Sequence, residues 1–494
     1  MFSLIQPSRQ EKGIKGQFRD KEQVMTKRIV LFLTILILVS SCVQVTQRET
    51  VPIKMPEQFS EAGETPLQPD WWLYFNDTGL TKTIALALSG NFNLLVAQDR
   101  LAQAMAVARR TGAERSPNLD GRGLARESWS KQDETTTTTT LNLELAASYE
   151  IDLWGRLRAR TEAASFDVGA RQGDLYTAAI TLTSGIGTVW YQIAEIKKEQ
   201  ILVTEQRVLN EKILQIITAQ YKAGQVGIAD VMQQKGLIER NNGELIGLRT
   251  RLRILEQQLA VLIGRAPGTE VLDTPVKLAE LPPLPDTGIP VDLVMNRPDI
   301  RSAYLALLAA DQRVAEAVAN KFPKLSVSAE LSTGGQNGSD LFNNWFSSLA
   351  GNLVGPIFDG GFRQAEVDRT QAVSSQYFHQ YGQTIIEAIS EVETALVQEK
   401  EQNNLLKNLG IRLELAQATV ERVGERYRQG AEDYQRVLTA LLSFQDLQTE
   451  MLRARQKLID YRIGLYRSLG GQIELPEPEI AGAEVELSFS GQSK

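Results

Sequence analysis

The chain is 494 residues long, 43% hydrophobic and 23% charged, with a formal net charge of −7 and no basic tract. That balance argues against nucleic acid as a partner, and a single cysteine, Cys42, excludes an internal disulfide. One histidine (His379), no Gly-x-Ser-x-Gly elbow, no phosphate-binding glycine loop with Lys and seven scattered methionines leave little from which to build an enzyme or a soft-metal relay, so no catalytic, metal or cofactor site is expected.

Residues 1–41 read as an upstream extension followed by a secretory signal. Met25-Thr26-Lys27-Arg28 is the positive segment, Ile29 to Val39 is the apolar run, and Ser40-Ser41-Cys42 supplies small residues at a cut site. A lone cysteine directly after Val39-Ser40-Ser41 is the pattern of a bacterial lipobox, so Cys42 is the expected lipidation site and Met25 the expected start. No other segment has the roughly 18 uninterrupted apolar residues of a membrane helix. Any further contact with lipid must be made by strands. Residues 42–90 form an N-terminal segment ahead of the first long helix.

From there the chain is written twice. Pro117 and Pro323 stand 206 residues apart, and the same offset relates Ile151 to Ile357, Gly155 to Gly361, Tyr221 to Tyr427, Gly224 to Gly430 and Gly264 to Gly470. A register held over about 150 residues implies tandem duplication of one unit. The copies are 91–264 and 297–470, joined by a Pro-rich linker at 265–296 and followed by a tail at 471–494. Each reads helix, strand pair, long helix, sharp turn, helix.

The strands are expected near 117–126 and 141–153 in the first copy, and near 323–332 and 349–358 in the second. In 141–153, Leu141, Leu143, Leu145, Ala147, Tyr149, Ile151 and Leu153 alternate with Asn142, Glu144, Ala146, Ser148, Glu150 and Asp152. Leu325, Val327, Ala329 and Leu331 repeat the pattern; 349–357 follows it less cleanly, and 117–126 is weaker, with Leu124 out of phase. A soluble half-buried sheet alternates in the same way; the lipobox tips the reading toward an outer-membrane barrel. The Thr-rich run 135–140 and the Gly/Asn/Ser stretch 333–340 are expected to be external loops. Four strands cannot close a barrel and lipid does not tolerate an open edge, so membrane strands here require an oligomer that pools them.

Arg156 to about Ala219 contains no proline and stays helical in pattern, about 95 Å at 1.5 Å per residue. Helices near 91–115 and 230–264 sum to a similar length. Ile238, Leu245, Leu248, Leu252, Leu255, Leu259 and Leu262 form a coiled-coil seam. It recurs at Phe444, Leu447, Met451, Ala454, Leu458, Tyr461 and Leu465. The turns match as well: Tyr221 through Gly224 to Asp230, and Tyr427 through Gly430 to Arg436. Each glycine suits a left-handed helix end, Asp230 is the expected cap of the following helix, and Asp433 is the alternative where Arg436 stands in its place.

Taken in order, several segments resemble the TolC-like outer-membrane efflux factors, in the NodT-type lipoprotein branch. They are Asp70-Trp71-Trp72 with Phe75 and Leu80; Asn93 with Ala97; Ile151-Asp152-Leu153-Trp154-Gly155; Arg297-Pro298-Asp299-Ile300-Arg301; Phe322-Pro323; Pro356-Ile357-Phe358-Asp359-Gly360-Gly361; and Arg426-Tyr427-Arg428-Gln429-Gly430. The match runs from about 56 to 472. It implies a mainly α, internally duplicated fold: a long-helix periplasmic barrel continuous with a twelve-strand outer-membrane β-barrel shared by a homotrimer, four strands per chain. The linker and the two ends would form a belt. It implies a passive duct for small molecules, in outer-membrane lipid, docked through a periplasmic adaptor onto an inner-membrane pump. It also implies a periplasmic gate at the turns, built from Tyr221, Gly224, Asp230, Tyr427, Gly430, Glu432, Asp433 and Tyr434, with Glu432 and Asp433 as an acidic mouth. The alternatives are the duct of a type I protein-secretion system and, in another class, a lipid-anchored coiled-coil scaffold without a pore. The exported compound leaves no mark on the sequence.

Overall fold

The computed structural model describes residues 53–66, 69–131, 135–268, 274, 277–470, 473 and 475. Cys42 and its signal, and nearly all of the 471–494 tail, lie outside the described residues. The helices are α1 (Thr78–Gly90), α2 (Phe92–Ala113), α3 (Arg156–Lys222), α4 (Ile228–Leu262), α5 (Pro290–Asn296), α6 (Pro298–Ala319), α7 (Phe362–Arg428) and α8 (Tyr434–Leu469). The strands are β1 (Asn118–Lys131), β2 (Thr135–Ile151), β3 (Lys324–Gly335) and β4 (Trp345–Val354). Both α3 and α7 have 67 residues, about 100 Å of helix. Among the described residues no single helix is long and apolar enough to cross a membrane.

The chain divides into two compact units that cut across the sequence repeat, so that each draws on both copies. One holds 108–164 and 309–374 and contains all four strands. The other holds the described parts of 50–107, 165–308 and 375–494.

In the first unit the strands form one antiparallel sheet in the order β1-β2-β3-β4. Their bounds depart from expectation for identifiable reasons. The run Thr135–Thr140 is strand, not loop: its β-branched side chains suit a pleat, and it pairs with Arg126–Lys131 through Arg126–Thr140 to Lys131–Thr135. β2 ends at Ile151 because Asp152 turns to helix capping, accepting from the N–H groups of Leu157 (3.0 Å) and Arg158 (2.8 Å). β3 runs on to Gly335, so the 333–340 loop starts later than expected. β4 lies four residues earlier than expected. Trp345 and Phe346 join the ladder, and Gly355-Pro356 ends it, since proline has no N–H to give. Asp359 then accepts from Gly361 N at 3.0 Å at the start of α7. Two family-like segments meet here: Trp154 stacks on Phe322 at 4.8 Å and donates to Pro323 O at 2.7 Å.

In the second unit the long helices pack along apolar seams. Ile196 and Val203 of α3 meet Leu245, Leu248, Leu252 and Leu255 of α4. Leu406, Leu409 and Leu413 of α7 meet Leu447, Met451 and Ala454 of α8. Segments 53–66 and 277–289 are tied to each other and to this bundle. Asp286 N donates to Thr65 O at 2.7 Å, and Gly63 N to Pro285 O at 3.1 Å. Arg462, 4% exposed, pairs with buried Glu399 and donates to Pro283 O at 2.9 Å. Arg297 joins Asp299 (2.6 Å), Glu391 (3.0 Å) and Ser468 O (2.8 Å). Trp71 and Trp72 are buried, with Trp71 stacked on Tyr466 at 5.7 Å; they act as packing residues. His379 is exposed on α7.

Candidate channel elements

The sheet is the first element with functional content. Its register puts like with like across all four strands. The row Gly121, Leu145, Leu331, Ser347 is flanked on the same face by the rows Leu119, Ala147, Ala329, Leu349 and Gly123, Leu143, Thr333, Trp345. The opposite face carries Asp120, Ala146, Glu330, Ser348 and Arg122, Glu144, Ser332, Phe346. One face is therefore mainly apolar and the other mainly hydrophilic across the four strands, and β1 is exposed along its full length. The apolar face runs from Leu141 to Ile151, ten residue steps along β2. At about 3.3 Å per residue this is about 33 Å, which a barrel tilt of about 40° reduces to about 25 Å, the height of an outer-membrane apolar band. Trp345 lies toward one end of that band and Tyr149 toward the other. β1 and β4 each keep one unpaired edge.

The helical turns are the second element. Both end a long helix in the same way. Gly224 (φ 73°) and Gly430 (φ 71°) occupy the left-handed region, which glycine enters without a Cβ clash. Gln225 N reaches back to Gln220 O at 2.9 Å, and Ala431 N to Arg426 O at 2.9 Å. The next helices start differently. Asp433 caps α8, accepting from Arg436 N at 2.9 Å. Asp230 does not cap α4. Gly227 is the N-cap, and Asp230, three residues in, accepts from Gly227 N at 3.2 Å, the reciprocal half of a capping box.

The two turns are packed together. Ile217, Val231 and Leu237 share an apolar cluster with Tyr434, Leu438 and Leu441. Tyr427 OH donates to Gln220 Oε1 at 2.6 Å, Tyr434 OH bonds Gln234 Oε1, and the two rings lie 6.0 Å apart. Burial pushes both phenols up, with nearby Asp230 adding to the effect. Tyr221 stays exposed. Glu432 is not the free carboxylate expected from the sequence. It lies between Arg426 (3.1 Å) and Arg436 (3.6 Å), with its side chain 15% exposed. The tip therefore carries a clustered mixture of charges in place of a simple acidic pair.

Sequence reading missed the polar seam between α3 and α8. Gln206 reaches Gln448 of α8 at 3.1 Å, and Asn210 bonds Gln445 of α8 (3.5 Å) and, within the α3–α4 hairpin, Asn241 (2.8 Å). Glu199, fully buried, pairs with Arg453. Burial, reinforced by a hydrogen bond and charge repulsion from Glu199, pushes the Glu195 carboxyl up to about 8. Asp460 is likewise raised by burial. A signal was available: Gln234 and Asn241 fall in the same 3-4 register as Ile238 and Leu245, and their counterparts in the second copy, Ala440 and Leu447, are apolar.

Comparison with known families settles the class. The description "Outer membrane efflux protein" matches the chain twice, over 83–265 and 289–471, the two spans in register with the repeat. The chain belongs to the outer membrane efflux protein family. It is similar to the pyoverdine export outer membrane protein OpmQ of Pseudomonas aeruginosa, 30% identical over 81% of this chain and 87% of that one. It is 27% identical to the cation efflux system protein CusC of Escherichia coli K12 (86% and 94%) and to nodulation protein T of Rhizobium leguminosarum bv. trifolii (85% and 92%). Among solved structures the fold matches the outer-membrane channel OprN at TM-score 0.80 and 23% identity, covering 87% of this chain and all but 1% of that one. It matches CusC at 0.77 and 26% identity (86% and 98%). This efflux protein is thus an outer-membrane channel by family and by fold, and its relatives are channels, not enzymes.

Proposed function

We propose that three copies of this chain assemble into one passive export duct. Each contributes its four strands to a twelve-strand barrel, and an adaptor and an inner-membrane pump deliver small-molecule cargo. The observation that carries this reading is the sheet. It is apolar on one face, hydrophilic on the other and unpaired at both edges, an arrangement that lipid accepts only when the edges are closed by further copies. The cargoes named for the relatives, pyoverdine for OpmQ and cations for CusC, differ within one family. This supports a general conduit whose selectivity rests mostly with the pump. The helical turns form the gate of the duct: Tyr221, Gly224, Asp230, Tyr427, Gly430, Glu432, Asp433 and Tyr434, with Arg426 and Arg436 completing its charge. Cys42 carries the lipid anchor.

The test is purification from outer membranes, determination of subunit stoichiometry by cross-linking, and single-channel recording in planar bilayers. Trimers that conduct support the duct; a stable monomer, or a trimer that never conducts, refutes it. The anchor is tested separately, by labelled palmitate incorporation that is lost in Cys42→Ala.

A further inference from the structure

The register of the sheet exposes an exception. Only three large apolar side chains among the described strand residues stand on the hydrophilic face. One, Val354, closes β4 opposite Lys324 at the end of the sheet. The other two lie in adjacent rows, toward the end of the sheet opposite Val354. Phe346 is aligned through Ser332 and Glu144 with Arg122, and Leu124 is aligned through Asn142 with Gly334. Rows on one face are about 7 Å apart along the strands, so Phe346 and Leu124 stand one row apart on the same face. Phe346 is 60% exposed, and among the described residues no other ring stacks on it. Its neighbours Trp345 and Leu349 face the apolar side, so Phe346 breaks the alternation of β4, as Val354 does at the strand's end.

Location adds to this. Leu124 is on β1 and Phe346 on β4, the two edge strands. When edges join between copies, the side chains come onto neighbouring strands. Threefold symmetry then sets three Phe in one ring around the pore and three Leu in another. Glu144 lies in the row of Phe346, 3.8 Å from Arg122, and Glu330 in the next row has no ion pair among the described residues. An aromatic face attracts cations, and adjacent carboxylates strengthen that attraction.

We propose that Phe346 and Leu124 form an apolar collar on the pore side of the barrel wall, which favours organic cations with an aromatic or alkyl body over small inorganic ions. The proposal rests on the trimeric-duct reading above.

The probe is tetraphenylphosphonium, added to single trimers conducting potassium chloride in a planar bilayer. The wild-type current should be blocked, and Phe346→Ser should weaken the block about tenfold while potassium conductance is kept. Phe346→Trp should retain the block, Leu124→Ser should weaken it less, and Trp345→Ser, on the lipid side, should leave it unchanged. Conducting channels that are not blocked, or that are blocked equally with and without Phe346, overturn the collar and leave the duct standing. Trimers that do not conduct at all overturn the duct, and the collar with it.

Discussion

Neighbouring residues on β2 should respond in opposite ways to the same substitution. Leu145 is half exposed on the apolar face, between Gly121 and Leu331. An Arg there replaces an aliphatic side chain at mid-band with a cation facing lipid, at a cost of about 2–4 kcal/mol per copy. With three copies in one barrel the cost is about 6–12 kcal/mol per assembly, comparable to the whole stability of an ordinary domain. Ala146 is one residue on and faces the other way, between Asp120 and Glu330. An Arg there meets two carboxylates in water, worth about 0–1 kcal/mol in its favour. The assay is the yield of trimers in outer membranes, followed by urea unfolding in lipid vesicles. Leu145→Arg should lose most of its trimers and Ala146→Arg should resemble wild type. Equal loss at both positions, or equal tolerance, would mean that the two faces do not see different solvents and that the sheet is not a membrane wall.

Three further outcomes follow from other parts of the structure. Arg462→Ala leaves Glu399 buried without its partner and should cost about 3–5 kcal/mol in chemical unfolding, whereas Arg462→Met with Glu399→Leu should recover most of that loss. Glu195 has a folded pKa raised to about 8 from an ordinary 4.5, so its stabilising contribution is complete below about pH 4.5 and is lost as pH rises toward 8. Glu195→Gln should remove that slope, and unchanged melting curves between pH 5 and 9 in both proteins would rule it out. At the turns, a disulfide between engineered cysteines at Gln225→Cys and Gln429→Cys should stop export while leaving trimers intact, with reductant restoring it; export under oxidising conditions despite a formed disulfide would place the gate elsewhere.

Much of this was legible in the sequence because it depends on periodicity. The two-residue alternation of Leu141 to Ile151 foretold the apolar face, since a strand has only two faces. The left-handed helix ends followed from Gly224 and Gly430, where few other residues fit. What failed depended on pairing. Six consecutive threonines look like a loop by composition, and only the partners Arg126–Lys131 make them a strand. Asp230 suits a helix cap by type, but the chain reaches its first helical turn two residues earlier, so Asp230 closes a capping box instead. Glu432 read as a free charge because Arg426 and Arg436 flank it only once the turn has folded. Phe346 lay outside the strand expected at 349–358; its place in β4 and on the hydrophilic face needed the register of β3 against β4.

The chemistry of the seams dictates which helices can part. Within each hairpin, α3 with α4 and α7 with α8, the contact is leucine-rich, and each such side chain returned to water costs about 1.5–3 kcal/mol. Between α3 and α8 the contact is made by Gln206 with Gln448, Asn210 with Gln445 and Glu199 with Arg453. The neutral amide pairs exchange their partners for water at a net cost of only about 0.5–1.5 kcal/mol per hydrogen bond, and the buried Glu199–Arg453 ion pair regains its hydration when the helices part. Separation along α3 and α8 is therefore cheaper per contact than splitting either hairpin, and the hairpins should move as units. The exception is at the turns, where the seam ends in the apolar cluster of Ile217, Val231, Tyr434 and Leu438, and in the Tyr427–Gln220 and Tyr434–Gln234 hydrogen bonds. Any opening along the seam has to release that cluster first, which makes the tips the latch and the polar seam behind them the surface that yields.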